Sequence, residues 1–267
     1  MIRLIALDLD GTVLGPGKEI APAGRAALQD AERASCHVAL ATGRMLRSAA
    51  AVQARLGLHG PLIAYNGGLV RLPDGSGWTD PVPLPAAHAV GALCRERGYF
   101  LQAYLGDDLY VPFEDGRAEA YAELAGVTYT VDPDIAYRPP VAPTKLLVIE
   151  PAERQPEVRA ALAPVADGRL ELANSYAHYL EISRSGVDKG TALARLADAL
   201  GIPRECVLAV GDGENDLAMI RYAGVGAAVA NAVPALASAA DFVAQARFGD
   251  GVAEAVHRFL PGGIARG

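Results

Sequence analysis

Cysteine is scarce in this chain: Cys36, Cys94 and Cys206 are three residues in 267. They are odd in number, widely scattered, and show neither CxxC nor Cys/His ligand spacing, which argues against a disulfide framework and a thiolate metal site. Each reads as a buried free thiol, because unpaired cysteine behaves as a small hydrophobe. Long hydrophobic runs are missing too. Ala34 to Ala41, with His37 inside it, falls well short of the roughly 20 apolar residues that cross a bilayer. No Lys/Arg cluster is present and the formal net charge is −7, so a sequence-independent grip on the phosphates of DNA or RNA is not expected. A small anionic substrate needs a local positive site instead. The first residues enter a β-like run and reach Asp8 before a signal-peptide apolar segment could finish, so a cytoplasmic location with no membrane partner is expected.

What is present is ordinary globular material, 51% hydrophobic and 21% charged, in a length that allows two domains. Short aliphatic runs alternate with amphipathic stretches, the pattern of βαβ units around a parallel sheet. Arg3–Leu7, His37–Ala41 and Pro61–Ala64 read as strands, with helices over Pro22–Ala34 and Arg44–Leu56. A stretch rich in Gly and Pro follows Tyr65-Asn66-Gly67-Gly68 and interrupts the rhythm. Beyond it, helices near Ala86–Arg97, Asp115–Leu124 and Glu153–Val165 are expected, with strands near Phe100–Leu105, Leu109–Val111 and Lys145–Ile149. The closely spaced pair Leu170–Asn174 and Tyr179–Ser183 suggests antiparallel pairing. The α/β rhythm returns at Lys189, with a helix to Leu200, a strand at Val207–Val210, a helix from Glu214 and a strand at Val225–Val229. The fold expected is α/β, a Rossmann-like parallel-sheet core with an inserted α/β domain. The core is discontinuous, residues 1–82 and 187–267, and the insertion spans 83–186.

The chemistry-bearing residues cluster at strand ends. Asp8-Leu9-Asp10-Gly11-Thr12 follows the first strand, placing two aspartates where ligands sit in open α/β sheets. Their i, i+2 spacing puts both side chains on one side if the strand continues. Carboxylates this close repel, and a divalent cation relieves them; hard oxygen ligands with room for water favour Mg²⁺. A calcium loop would need further ligands and a closing glutamate, which Thr12 to Glu19 do not supply. Thr42-Gly43-Arg44 lies between a strand and a helix, where its hydroxyl and amides can face an anion or simply cap the helix. Lys189 opens a helix, an awkward place for a cation against the macrodipole unless an anion is bound there or the side chain is merely solvated. Gly211-Asp212-Gly213-Glu214-Asn215-Asp216 follows another strand, which puts Asp212 beside Asp8 and Asp10 if the strands are neighbours.

In this order and spacing, DLDGT, TGR, DKG and GDGEND resemble the haloacid dehalogenase-like superfamily, in particular Cof-type phosphatases of subfamily IIB. The resemblance covers essentially the whole chain, the insertion corresponding to that subfamily's α/β cap. It implies a Mg²⁺-dependent phosphatase acting on small phosphorylated metabolites such as sugar phosphates through an aspartyl-phosphate on Asp8. By the same resemblance Asp10 is general acid and base and ligates the metal through its backbone carbonyl, and Asp212 is the third ligand. Thr42, the Gly43 amide, Lys189 and Asn215 hold the phosphoryl group; Asp216 orients Lys189 or a water, and Arg44 bridges to the cap or fixes its loop. A phosphomutase of the same superfamily is the nearest alternative. A dehalogenase is disfavoured because Asp10 is retained, and a non-catalytic binding module because no motif residue is missing. Substrate choice is expected from the cap, where Tyr104, Tyr110, Tyr176, Tyr179, Asn174, His178 and Glu181 are candidate pocket formers or strand residues packing on the cap's own sheet.

Overall fold

The computed structural model describes residues 1–260; residues 261–267 of the expected core segment lie outside the described residues. The chain divides into two compact units, one formed by Met1–Trp78 with the chain from Asp188 onward, the other by Thr79–Val187.

In the first unit, β1 (Leu4–Leu7), β2 (His37–Ala41) and β3 (Leu62–Ala64) alternate with α1 (Pro22–Arg33) and α2 (Leu46–Leu56). Two short strands follow, β4 (Leu69–Arg71) and β5 (Gly77–Thr79), within the turn-rich stretch that interrupts the sequence rhythm. Pro73, Asp74 and Gly75 supply the reversal: Leu72 N donates to Ser76 O at 2.8 Å and Gly75 N to Leu72 O at 3.0 Å, so the run is a hairpin rather than a linker.

The second unit runs through α3 (Leu84–Arg97), β6 (Phe100–Leu105), β7 (Asp108–Val111), α4 (Arg117–Ala125), β8 (Thr130–Val131), α5 (Pro133–Tyr137), β9 (Lys145–Ile149), α6 (Gln155–Ala166), β10 (Leu170–Tyr176) and β11 (Tyr179–Arg184). The chain then re-enters the first unit with α7 (Lys189–Ala199), β12 (Val207–Gly211), α8 (Leu217–Tyr222), β13 (Val225–Ala228), α9 (Pro234–Ala239), β14 (Phe242–Val243) and α10 (Phe248–Phe259). The sequence reading had missed β8, α5, α9, β14 and α10. Four of them are six residues or shorter, too short for periodicity to register.

The first unit's sheet runs β14-β13-β12-β1-β2-β3-β4-β5. β12, β1, β2 and β3 are mutually parallel and β4 turns back antiparallel. Its central strands are buried on both faces by simple alternation. Ile5 and Leu7, Val38 and Leu40, Leu208 and Val210 enter one apolar layer with Leu28, Val52 and Val256 of α1, α2 and α10. Leu4 and Ala6, Ala39 and Ala41, Val207 and Ala209 enter the other, with Leu193, Met219 and Leu236 of α7, α8 and α9. Such strands read as continuous hydrophobic runs because each side chain has a layer to fill.

The register aligns Leu7 with both Leu40 and Val210. The loops after β1, β2 and β12 therefore leave the sheet side by side at its carboxyl edge, which is where an open parallel sheet presents ligands.

The second unit's sheet, β10-β11-β9-β6-β7-β8, is antiparallel except for the β7–β8 pair. One face carries Leu101, Ala103, Leu146, Val148, Leu180 and Ile182, packed on Val90 and Cys94 of α3 and Val158 and Leu162 of α6. Cross-strand pairing puts Gln102, Tyr104, Lys145, Tyr179 and Glu181 on the opposite face. Tyr110 pairs with Ala103 and so lies on the helix-covered face, apart from the other expected pocket tyrosines. An irregularity between Asn174 and Tyr176 brings Tyr176 opposite Tyr179. Among the described residues no helix is long and apolar enough to cross a membrane.

Candidate active site

β1 ends at Leu7, so Asp8 and Asp10 do not continue a pleat and their side chains part company. Asp8 turns inward and is buried. Its backbone N–H still bonds Val210 O at 3.0 Å, and its Oδ1 accepts from Lys189 Nζ at 2.6 Å. The Asp10 carboxylate is half exposed and takes both arms of Arg44, Nε to Oδ2 at 2.7 Å and Nη2 to Oδ1. The i, i+2 expectation of a shared side holds only for a strand that continues through Asp10, and β1 ends at Leu7 as the sequence suggests.

The loop after Asp10 is drawn tight. Gly11 has φ +91°, and a Cβ there would stand 2.3 Å from Asp212 Oδ2, so glycine is required both by conformation and by space. Thr12 Oγ1 donates to Asp212 Oδ1 at 2.8 Å.

Lys189 is N1 of α7, behind the capping box of Asp188 and Thr191. Its side chain has no exposed surface, which removes the solvated-lysine reading. Nζ donates at 2.6 Å to Asp8 Oδ1 and at 2.6 Å to Asp216 Oδ1, so carboxylates rather than a ligand already answer the adverse macrodipole. Asp216 Oδ2 accepts from the amides of Asp212 and Gly213, each at 3.0 Å. Both its oxygens are thus committed, and the residue braces the Asp212 loop while holding Lys189. The helix expected from Glu214 is first a 3₁₀ turn, Glu214–Asp216, before α8.

Thr42 is buried and extends from β2, its N–H bonding Ile63 O at 2.8 Å. α2 begins only at Leu46, with Met45 as its extended N-cap, so Thr42, Gly43 and Arg44 form a loop ahead of the helix rather than its first turn. Thr42 Oγ1 accepts from Arg44 N at 3.2 Å, and Arg44 O accepts from Tyr65 N at 3.0 Å. Asn215 Nδ2 donates to Asn66 Oδ1 at 3.2 Å.

Two further asparagines belong to this framework and escaped the sequence reading. Asn66, at φ +54°, links Asn215 to the Thr42 loop, since its N–H bonds Thr42 O at 2.9 Å. Asn231 follows β13; its Nδ2 donates to Gly11 O at 2.7 Å and its Oδ1 accepts from Phe248 N at 3.0 Å. The available signal for Asn231 was its position just beyond another strand end, and for Asn66 the Asn-Gly pair that tolerates left-handed backbone.

Asp8, Asp212 and Asp216 each bring a carboxylate oxygen within 4.8 Å of the others, with Lys189 the cation among them. Three carboxylates against one ammonium leave the cluster short of positive charge. Burial, the largest influence, pushes the Asp8 carboxyl up to about 7 against the pull of Lys189, and Asp216 and Asp212 add to the rise. Burial raises Asp212 as well, with Thr12 opposing. Burial works against the Lys189 ammonium, but Asp8 and Asp216 outweigh it and hold that group above its ordinary value. Beyond the Lys189 and Thr12 bonds the Asp8 and Asp212 carboxyls meet each other, and oxygens crowded together in this way are a donor set that a hard, oxygen-loving dication fits.

Comparison with known proteins agrees with this geometry. Residues 5–256 match the haloacid dehalogenase-like hydrolase family. The chain is 30% identical over 265 residues to the 5-amino-6-(5-phospho-D-ribitylamino)uracil phosphatase YitU of Bacillus subtilis, covering 96% of each. It is 32% identical over 260 residues to a phosphoglycolate phosphatase of Methanothermobacter thermautotrophicus, covering 97% of this chain and 99% of the relative. The crystal structure of TM0651 from Thermotoga maritima superposes with a TM-score of 0.91 at 32% identity, covering 97% of both chains. The chain belongs to the haloacid dehalogenase-like hydrolase family, as a phosphatase of its Cof-type branch.

Proposed function

We propose that the protein hydrolyses small phosphorylated metabolites, sugar phosphates among them, in a Mg²⁺-dependent two-step reaction through an aspartyl-phosphate on Asp8. The observation that carries the reading is the buried Lys189 ammonium 2.6 Å from Asp8, a cation held where phosphoryl oxygens would need one.

In the first step an Asp8 carboxylate oxygen attacks phosphorus, the ester P–O bond breaks, and Asp10 in its acid form protonates the departing alkoxide. In the second, Asp10 takes a proton from water as that oxygen attacks phosphorus. The bond to Asp8 breaks, leaving inorganic phosphate and the free Asp8 carboxylate. Lys189, the Thr42 hydroxyl, the Gly43 amide and Asn215 hold the equatorial oxygens, where phosphoryl transfer gains most from fixed charge and position. Asp216 positions Lys189, and Arg44 positions Asp10 through its paired bonds. Asp8, Asp212 and the Asp10 carbonyl would hold Mg²⁺, which supplies charge neutralisation at the phosphoryl group.

Phosphate release from acetyl phosphate, p-nitrophenyl phosphate and a set of sugar phosphates, with and without Mg²⁺, tests the reading. Release that needs Mg²⁺ and disappears in Asp8→Asn is expected. A folded wild-type protein that releases no phosphate would overturn it.

A further inference from the structure

The loop between β13 and α9 touches both carboxylate-bearing loops of the first unit, and the proposed chemistry gives it no part. Val233 N donates to Asp212 O at 2.8 Å, and Asn231 Nδ2 donates to Gly11 O at 2.7 Å. Asp212 and the Asp10 carbonyl are proposed ligands of Mg²⁺, and Gly11 follows Asp10 directly. One short segment is thus bonded to the backbone of each loop, at or beside a residue that would hold the ion.

Asn231 is itself fixed. Its Oδ1 accepts from Phe248 N at 3.0 Å. Gly11 O can only accept and the Phe248 N–H can only donate, so one orientation of the amide satisfies both and the flipped one satisfies neither. Ala230 N donates to Ala246 O at 3.0 Å, which ties the same loop to the chain leading into α10. Phe248 has φ +51°, a backbone state rare for a bulky residue and kept only where the surroundings hold it. Its ring lies 3.6 Å from where a Cβ on Gly15 would stand, and Val252 and Val256 anchor its helix in the apolar layer. The support behind the amide is therefore packed into the core.

Electrostatics gives this support something to resist. Asp8, Asp212 and Asp216 bring carboxylate oxygens within 4.8 Å of one another, and without a dication their repulsion favours spreading of the loops that carry them. Thr12 Oγ1 joins the two loops through an Asp212 carboxylate oxygen at 2.8 Å. Asn231 and Val233 join them through main-chain oxygens and so occupy no carboxylate.

We propose that Asn231 is a positioning residue of the metal site: seated on the Phe248 N–H, its amide holds the Gly11 peptide in place against Asp212, so that the two loops are spaced for Mg²⁺ before the ion binds. The inference rests on the proposed Mg²⁺-dependent reaction for its ligand. Removing groups that orient metal ligands without touching the ion costs roughly 10- to 100-fold in affinity.

Mg²⁺ binding to the full chain, followed by calorimetry with no substrate present, separates the metal from turnover. Asn231→Ala weakens that binding by about 10-fold. Asn231→Asp keeps an acceptor for the Phe248 N–H and loses only the donor to Gly11 O, and it carries the comparison if Asn231→Ala does not fold. The charge it adds would by itself tighten cation binding, so weaker binding in this variant too assigns the effect to the lost bond. Val256→Ala opens a cavity beneath α10 and lowers the melting temperature without moving the Mg²⁺ Kd, as a purely structural loss does. Unchanged or tighter binding in either folded Asn231 variant, or an equal weakening in Val256→Ala, would overturn the positioning role and leave the metal reading intact. A folded wild-type protein that binds no Mg²⁺ would remove the metal reading and the role of Asn231 with it.

Discussion

Lys189 Nζ donates to Asp8 Oδ1 at 2.6 Å across 181 residues of sequence. The bond ties the first strand's terminus to the chain that returns after the second unit. Because Lys189 and Asp216 have no exposed side-chain surface, the ammonium is both a structural cross-link and, among the described residues, the cation that bonds the carboxylate cluster.

Lys189→Met is expected to destabilise the protein by about 3–5 kcal/mol, since it strands Asp8 and Asp216 without their partner. Urea unfolding of the variant against wild type measures this, and phosphate release is lost in parallel. A stability equal to wild type would mean that the buried pair contributes nothing.

Gly11→Ala strikes the same cluster from the backbone. A methyl at φ +91° would sit 2.3 Å from Asp212 Oδ2, so Asp212 has to move. A displaced ligand predicts an apparent Mg²⁺ affinity weaker by about 10-fold or more, the scale of losses at groups that orient metal ligands. Titration of activity with Mg²⁺ reads the change; an unaltered midpoint would show that Asp212 does not hold the ion.

The thiols make a prediction independent of catalysis. Burial pushes Cys36 up to about 12, and burial with Glu150 nearby pushes Cys94 to about 12. Both stay protonated in the folded state while their unfolded counterparts ionise near 9. Folding is thus penalised as pH rises above 9, where the unfolded chain binds fewer protons. At pH 8 a thiol-specific reagent should modify the half-buried Cys206 first, with Cys36 and Cys94 reacting only in denaturant. Rapid reaction at all three would contradict the burial.

The fold was legible where strands fill two apolar layers, as at Leu4–Leu7 and Val207–Val210, because alternation into both layers leaves an unbroken hydrophobic run. It was obscure at Leu69–Arg71 and Gly77–Thr79, where Pro73 and Gly75 make a hairpin look like a linker. The candidate site was legible in its charged residues, since Asp8, Asp212 and Lys189 sit at strand or helix ends where charge is conspicuous. The neutral asparagines were not. Asn66 and Asn231 act through hydrogen bonds to loops 24 and 220 residues away in sequence, Asn66 to Thr42 and Asn231 to Gly11, and neither spacing nor periodicity signals such a partner. The pairing of Asp10 with Arg44 was likewise hidden, because the two lie 34 residues apart in loops after different strands.

The central claim is that Asp8 carries the phosphoryl group. Wild-type protein mixed with acetyl phosphate and Mg²⁺, quenched in acid within one turnover and digested, should yield a phosphorylated peptide containing Asp8 that hydroxylamine discharges. The same peptide from Asp8→Asn should be unmodified. Phosphate release by wild type with no such adduct, or with the adduct on a peptide lacking Asp8, would contradict the account.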